Sequence, residues 1–129
     1  MFSAANTAGT VIAVVLGGTP VPLPTQNLSD DVTVNASNTV FTLLEAGRYA
    51  ITYNVRLTAS LLLGARILVN GEPVPVLTIN ALLVASNLNA SFIVDLPAGA
   101  TLTLELFGLL GAATLQAGNG ATLNVMRIE

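Results

Sequence analysis

The clearest pattern of hydrophobic and polar positions lies between Phe41 and Thr58. From Arg48 onward polar residues alternate with apolar ones, and the apolar set is Tyr49, Ile51, Tyr53, Val55 and Leu57. A period of two predicts a β-strand with one buried face. The preceding run, 39–44, is predicted to fold back over the turn Glu45-Ala46-Gly47 and pair with this strand. Gly47 suits such a hairpin because glycine adopts the positive φ that a tight turn can require.

Shorter β-rich runs are predicted on both sides of this hairpin. Asn70-Gly71 separates two such runs and predicts a type I′ hairpin turn. Pro73 and Pro75 place the return strand at a sheet edge, since proline lacks a backbone donor. The proline-rich run 20–24 is predicted to be an extended edge or crossover piece for the same reason. The remaining predicted strands are 10–16, 30–35, 65–69, 81–85, 90–96, 101–107 and 121–128.

About eight to ten short strands, with no convincing segment of helical period, predict an all-β fold. The expected architecture is a jelly-roll sandwich of antiparallel strands. A single domain is expected over 10–129, and 1–9 is expected to be a flexible lead-in. The residues predicted to form the core are Phe41, Tyr49, Ile51, Tyr53, Val55, Leu102, Leu104 and Leu106.

The composition adds an expectation of self-association. Of 129 residues, 53% are hydrophobic and 9% are charged, whereas about 25% are charged in a typical soluble domain. The apolar runs are much shorter than the roughly 18–20 residues of a spanning helix, which favours an oligomer over a membrane protein. Three apolar stretches are therefore predicted to form a subunit interface, with core packing as the alternative. Their candidate interface residues are Leu61, Leu62, Leu63, Leu82, Leu83, Leu109, Leu110 and Leu115.

The sequence offers little catalytic chemistry. It has no cysteine and no histidine, which excludes Ser-His-Asp and Cys-His catalysis and the common zinc sites. Its net charge of −3, without a basic cluster, argues against nucleic acid as a partner. The adjacent pair Asp30-Asp31 could bind Ca²⁺, but neighbours on a strand point to opposite faces, so solvated side chains are favoured. We predict no catalytic residue, no cofactor, no metal site and no enzymatic activity.

Three segments of the chain resemble a known family. The run FTLLEAGRYAITY, 41–53, is similar to the Gly-x-Tyr strand of the complement globular-head and tumour-necrosis-factor superfamily. The run ILVNGEPVPV, 67–76, resembles the VNG-x-PVP hairpin of the head domain of BclA-like collagen-like glycoproteins. Those glycoproteins lie on the exosporium, the outer layer of Bacillus-type spores. The Gly/Leu/Ala-rich segment 107–128, which precedes and includes the last strand, completes a likeness that covers most of the chain.

The resemblance implies a homotrimer of jelly-roll protomers at the spore or cell surface. Expected roles are trimerisation and surface display, as a structural head of an exosporium filament. The chain itself is the expected partner, and other spore-surface proteins or host receptors and glycans are further candidates. The alternative is a carbohydrate- or receptor-binding module at the tip of a fibre or appendage. This sequence has no collagen-like Gly-x-y repeat, and it has Gly99-Ala100 where the superfamily often has Gly-Asp.

Overall fold

The computed structural model describes residues 1–108 and 111–129, which form β-strands and one short 3-10 helix, Pro75–Leu77. The strands are β1 Phe2–Ala8, β2 Val11–Val14, β3 Thr19–Pro20, β4 Thr25–Leu28, β5 Val32–Val34, β6 Phe41–Leu43, β7 Gly47–Leu61, β8 Gly64–Val69, β9 Glu72–Pro73, β10 Ala85–Leu96, β11 Ala100–Phe107, β12 Gly111–Thr114 and β13 Ala117–Arg127.

Two antiparallel sheets contain most of these strands. The five-stranded sheet has the order β10-β7-β13-β1-β4, and the six-stranded sheet has the order β5-β6-β11-β8-β9 with β3 also paired to β11. Strands β2 and β12 form a separate two-stranded ribbon. The predicted all-β, antiparallel jelly-roll architecture is confirmed.

The long strand β7 lies inside the five-stranded sheet and supplies much of its buried face. Its apolar residues from Tyr49 to Leu57 are at most 1% exposed, and β10 and β13 pair with it on either side. All eight residues predicted for the core lie in the buried cluster, each at most 1% exposed. Apolar and polar residues alternate strictly along this interior strand because only one of its faces packs against the other sheet.

The predicted hairpin at Glu45-Ala46-Gly47 is wrong. Strand β6 pairs with β5 and β11 in one sheet, whereas β7 pairs with β10 and β13 in the other, so this turn carries the chain between sheets. Gly47 has no positive φ. A Cβ atom there would lie 2.4 Å from Arg127 Nε and 2.6 Å from the Glu129 carbonyl oxygen. Glycine is therefore needed for close approach of the last strand, not for turn geometry.

The predicted flexible lead-in is also wrong, because 2–8 form strand β1 between β13 and β4. Phe2 is 3% exposed, and its ring stacks on Phe41 with centroids 4.6 Å apart. Asn6 is 1% exposed; its Nδ2 donates to the Pro22 carbonyl at 3.0 Å, and its Oδ1 accepts from Thr10 at 3.1 Å. Buried and exposed residues alternate along β1, with Phe2, Ala4 and Asn6 buried. Hydropathy does not reveal this alternation, because Ala4 is small and Asn6 is polar.

The Asn70-Gly71 turn has the predicted backbone, with φ of 52° and 83°. It joins β8 to β9, and β9 lies at the sheet edge as expected. The return strand has only two residues before the 3-10 helix begins at Pro75. The strand predicted at 81–85 is wrong as well: 81–84 form a loop, and β10 begins at Ala85 as one continuous strand.

Tyr53 links the two sheets through its hydroxyl group. The Tyr53 side chain is fully buried; its Oη donates to the Leu77 carbonyl oxygen at 2.7 Å and lies 3.2 Å from the Ala65 carbonyl oxygen, which also accepts from the Ile79 N–H. Burial raises the pKa of Tyr53 above its usual range. The aromatic ring fills the core while the hydroxyl group satisfies the carbonyl of Leu77, the last residue of the 3-10 helix.

Replacing Tyr53 by phenylalanine should lower the free energy of unfolding by about 1–3 kcal/mol, because the Leu77 carbonyl loses its donor, whereas the Ala65 carbonyl still accepts from the Ile79 N–H. The wild-type chain should also lose stability as the pH rises above about 10, since the unfolded tyrosine releases its proton there and the folded one does not. Chemical denaturation at pH 7 and 10.5 measures both effects. An unchanged pH dependence in Tyr53→Phe would contradict the assignment to Tyr53.

Candidate interaction surfaces

The leucines predicted to form an interface have several different environments. Leu63 and Leu115 are 0% and 1% exposed within this chain, so the interface prediction is wrong for these two, which belong to the core. Leu61 is half-buried. Leu62 is 47% exposed, and Leu82 and Leu83 are each 79% exposed. Leu109 and Leu110 lie outside the described residues.

The exposed leucines and the neighbouring Val84 lie on two loops at one end of the sandwich, here named the apolar tip, which consists of Leu62, Leu82, Leu83 and Val84. Leu61 pairs with Ala85 across the β7–β10 ladder, which places Leu62 beside Val84 where the two strands end. The 3-10 helix side of the loop is held by hydrogen bonds between Ala65 and Ile79. Buried Leu63 and Leu77 lie beneath. Four large aliphatic side chains thus project from two anchored loops.

The opposite end of the sandwich, here named the charged base, carries most of the ionised groups. Arg48 at the start of β7 pairs with Asp95 and Glu129, with N···O distances of 3.0 Å in both cases. Arg127 donates to the Ala46 carbonyl at 2.8 Å. Strand β7, of 15 residues, runs from the charged base to the apolar tip, so the two lie at opposite ends of this strand. Charged side chains and exposed aliphatic side chains are therefore concentrated at opposite ends of the sandwich.

The outward face of the five-stranded sheet has a further distinctive composition. Between the Arg48–Asp95 pair and Arg56, its outward positions carry no charged side chain. We name this area the uncharged face. Its residues are Ser3, Ala5, Thr25, Asn27, Ala50, Thr52, Asn54, Asn89, Ser91, Ile93, Thr122, Asn124 and Met126.

The uncharged face contains a shallow depression of about 240 Å³, which residues of β1, β4 and β13 line, including Ala5, Asn27 and Asn124. A second depression, of about 440 Å³, adjoins it towards the charged base and is lined in part by Ser3 and Met126. Thr52 and Ser91 share a hydrogen bond of 2.9 Å across the β7–β10 ladder. The face therefore offers neutral donors and acceptors over several neighbouring strands.

Glu105, which sequence alternation places on the exposed side of β11, is only 7% exposed. Arg66 on the paired strand β8 approaches its Oε1 atom, with distances of 2.7 Å from Nε and 2.6 Å from NH2. The Arg66 guanidinium also lies 4.2 Å from the centroid of the Phe107 ring and donates to the Gly17 carbonyl. This network holds the β2–β3 loop against the sheet.

Gly18 explains how that loop covers the carboxylate. Its φ is +108°, and a Cβ atom there would lie 2.2 Å from Glu105 Oε1. Only glycine fits both the backbone conformation and the space. The paired register of Arg66 and Glu105 could have suggested the ion pair, but the covering loop has no sequence signal.

The predicted carboxylate pair does not form a cluster. Asp30 is exposed, and the Ser29 hydroxyl donates to Asp31, which lowers the pKa of the Asp31 carboxyl. Among residues 1–108 and 111–129, no three potential ligands of the His, Cys, Asp or Glu type lie together as they would around a metal ion. Likewise, the described part of the chain contains no helix that is long and apolar enough to cross a membrane.

Comparison with solved structures shows similarity to tumour-necrosis-factor-family ligands. Rabbit GITRL superposes with a TM-score of 0.57 and 15% identity, covering 76% of this chain and 77% of that one. Pika GITRL superposes with a TM-score of 0.59 and 12% identity, covering 99% and 94% respectively. At such identities the likeness concerns the fold alone.

The sequence comparisons are more specific about the family. A search of curated proteins found no match. The model of the BclA C-terminal domain family, in contrast, matches residues 2–129. This match extends from the first strand through the last, and it agrees with the tumour-necrosis-factor-like fold. The chain therefore belongs to the BclA C-terminal domain family.

Proposed function

We propose that this domain is a non-enzymatic, homotrimeric structural head displayed on the outer layer of a bacterial spore. Family membership and the fold support a structural head domain. The uncharged face carries the trimer part of the proposal. The catalytic alternative has little support, since the most buried carboxylate, Glu105, is bound to Arg66 and covered by a loop.

The uncharged face suits contact with other copies of the chain. Neutral Asn, Ser and Thr side chains can exchange hydrogen bonds with water for hydrogen bonds with a neighbour at much lower desolvation cost than ionised groups. All five strands of the sheet contribute to the face, as an interface of the obligate kind, which typically buries 2,000 Å² or more, requires. A threefold assembly joins two different patches of each copy and closes into a ring.

The second patch of such a ring is supplied by the neighbouring edge of the sheet. On edge strand β10, Phe92 is 49% exposed on the side opposite the uncharged face, whereas its neighbour Ile93, 52% exposed, belongs to that face. Phe92 points towards the core side of the sheet because it pairs with buried Ile51, but β10 is the edge strand of the sheet and its ring stays half exposed. An exposed aromatic ring on one patch and a shallow depression on the other provide the complementarity that a heterologous contact needs.

The two ends of the molecule give the proposed trimer an orientation. Strand β1 begins and β13 ends at the charged base, since Phe2 pairs with Val125 there. A segment that preceded Met1 would therefore join the head at the base and leave the apolar tip distal. Such a head would present its tip loops outward from the spore.

Replacing Thr122 by lysine should convert the trimer to monomers, because Thr122 lies on β13, the middle strand of the uncharged face, and three lysines would lose hydration in the closed ring. Light scattering coupled to size-exclusion chromatography should give three times the chain mass for the wild type and one chain mass for the variant. Thr33→Lys is the matched control: Thr33 is exposed on the six-stranded sheet, and this variant should remain trimeric.

A wild-type mass of one chain at all concentrations would overturn the trimer. A trimeric Thr122→Lys variant would instead show that another surface joins the copies. Labelling of intact spores with an antibody against the domain tests the proposed location separately, and labelling confined to permeabilised spores would contradict surface display.

A further inference from the structure

We infer that the apolar tip is a peripheral docking surface for an uncharged lipid layer, such as a phosphatidylcholine surface. The inference is independent of the trimer, because the tip lies at the loop end of β7 and β10 and not within the uncharged face. The proposed contact is insertion of the Leu62, Leu82, Leu83 and Val84 side chains into the boundary between head groups and acyl chains.

The shape of the tip favours a fluid partner over a folded one. Leu82 and Leu83 are consecutive and both 79% exposed, and Val84 is 62% exposed. Consecutive side chains of a loop point in different directions, so a folded partner would need a separate pocket matched to each of them. Acyl chains adjust around a protruding group and can surround each of the side chains.

The distribution of charge favours a lipid layer that is itself neutral. No Asp, Glu, Lys or Arg occurs in 57–65 or 73–94, the two segments that contain the tip. Insertion therefore removes no ionised group from water, a step that would be costly. No basic residue in these segments is available to attract anionic head groups, which usually strengthen the binding of peripheral proteins.

The backbone sets the depth of insertion. Residues 81–84 form a loop with few internal hydrogen bonds, and backbone groups of an irregular loop cannot enter the hydrocarbon region without partners. Only the side chains would enter, to the depth of roughly 5–10 Å that is typical of interfacial anchors. The buried residues Leu63 and Leu77 beneath the loops keep the tip in place while it inserts.

Flotation with phosphatidylcholine vesicles tests the inference. Wild-type protein should float with the vesicles equally well in 0.1 M and 1 M NaCl, and addition of anionic lipid should not increase the bound fraction. The double variant Leu82→Ser/Leu83→Ser should reduce the vesicle partition coefficient by at least about tenfold, since two exposed leucines supply much of the buried apolar area.

The matched control is Leu44→Ser/Ile128→Ser. These two aliphatic residues are 48% and 45% exposed at the charged base, so this variant should bind vesicles like the wild type. Thermal unfolding should be nearly unchanged in both double variants because the substituted side chains are exposed.

Failure of the wild type to float, or equal flotation of the tip variant, would overturn the inference. Binding only to anionic vesicles and only at low salt would also overturn it, since charge would then be responsible. Light scattering on Leu82→Ser/Leu83→Ser tests whether a second copy of the chain, instead of lipid, covers the tip. A molar mass different from that of the wild type would show that these leucines join copies of the chain, and this result would also overturn lipid docking. The Thr122→Lys experiment tests only the proposed trimer, and its outcome does not bear on lipid docking.

Discussion

Replacement of Phe2 by alanine is expected to lower the free energy of unfolding by about 3–5 kcal/mol, the range for removing a buried aromatic side chain. Phe2 is 3% exposed and stacks on Phe41, which belongs to the opposite sheet. The substitution therefore opens a cavity between the sheets at the end of β1. Equilibrium denaturation at one fixed protein concentration measures the loss, because the stability of an oligomer depends on concentration.

Met1→Ala is the control for this prediction. Met1 is adjacent in sequence but 52% exposed, so its replacement should change stability by less than about 0.5 kcal/mol. If Phe2→Ala behaved like Met1→Ala, the first strand would contribute little to the fold, and the expectation of a flexible lead-in would be restored.

Replacement of Glu105 by alanine is expected to cost about 3 kcal/mol, because breaking a largely buried ion pair leaves the partner charge uncompensated. The side chains of Arg66 and Glu105 are 21% and 9% exposed. Arg66 retains its contacts with the Gly17 carbonyl and the Phe107 ring. Denaturation curves give the stability change, and faster proteolysis within the β2–β3 loop should accompany it.

Two further variants separate burial from charge. Asp95→Ala removes a partner from Arg48 in an ion pair whose side chains are 48% and 76% exposed, so it should cost less than about 1 kcal/mol. The double variant Arg66→Met/Glu105→Leu should recover much of the stability lost in Glu105→Ala, since an apolar pair often replaces a buried ion pair at little cost. Equal losses in Glu105→Ala and Asp95→Ala would contradict the role assigned to burial.

Local patterns predicted the elements whose structure depends on their own residues. The alternation from Arg48 to Thr58 predicted β7, and Asn70-Gly71 predicted a turn whose two positive φ angles are present. The fold class followed from many short strands with one buried face. Family resemblance added the connection to a spore head domain, which the family match of 2–129 supports.

Long-range pairing was predicted less well. The turn at Glu45-Ala46-Gly47 looks like a hairpin, but its two strands belong to different sheets. Strand β1 looks like a loose segment because its buried alternate positions are Phe2, Ala4 and Asn6, and only the first is a large apolar residue. Both errors concern which partner a strand meets, and hydrophobic period does not contain that information.

At the candidate surfaces, too, the sequence predicted local features but not which residues lie together in space. Runs of leucine indicated excess apolar surface, yet Leu63 is buried while Leu62 beside it is exposed. Charge along the sequence gave no sign that Arg48, Asp95 and Glu129 meet at one end while the apolar tip lies at the other.

Residue type and local spacing were enough to predict strand β7, the Asn-Gly turn, the aliphatic core and the scarcity of charge. Long-range packing places β1 inside a sheet, covers Glu105 and brings uncharged positions from five strands onto one face. These features depend on contacts between residues far apart in the chain, and the cost of closing such long loops is met by the packing of the whole sandwich.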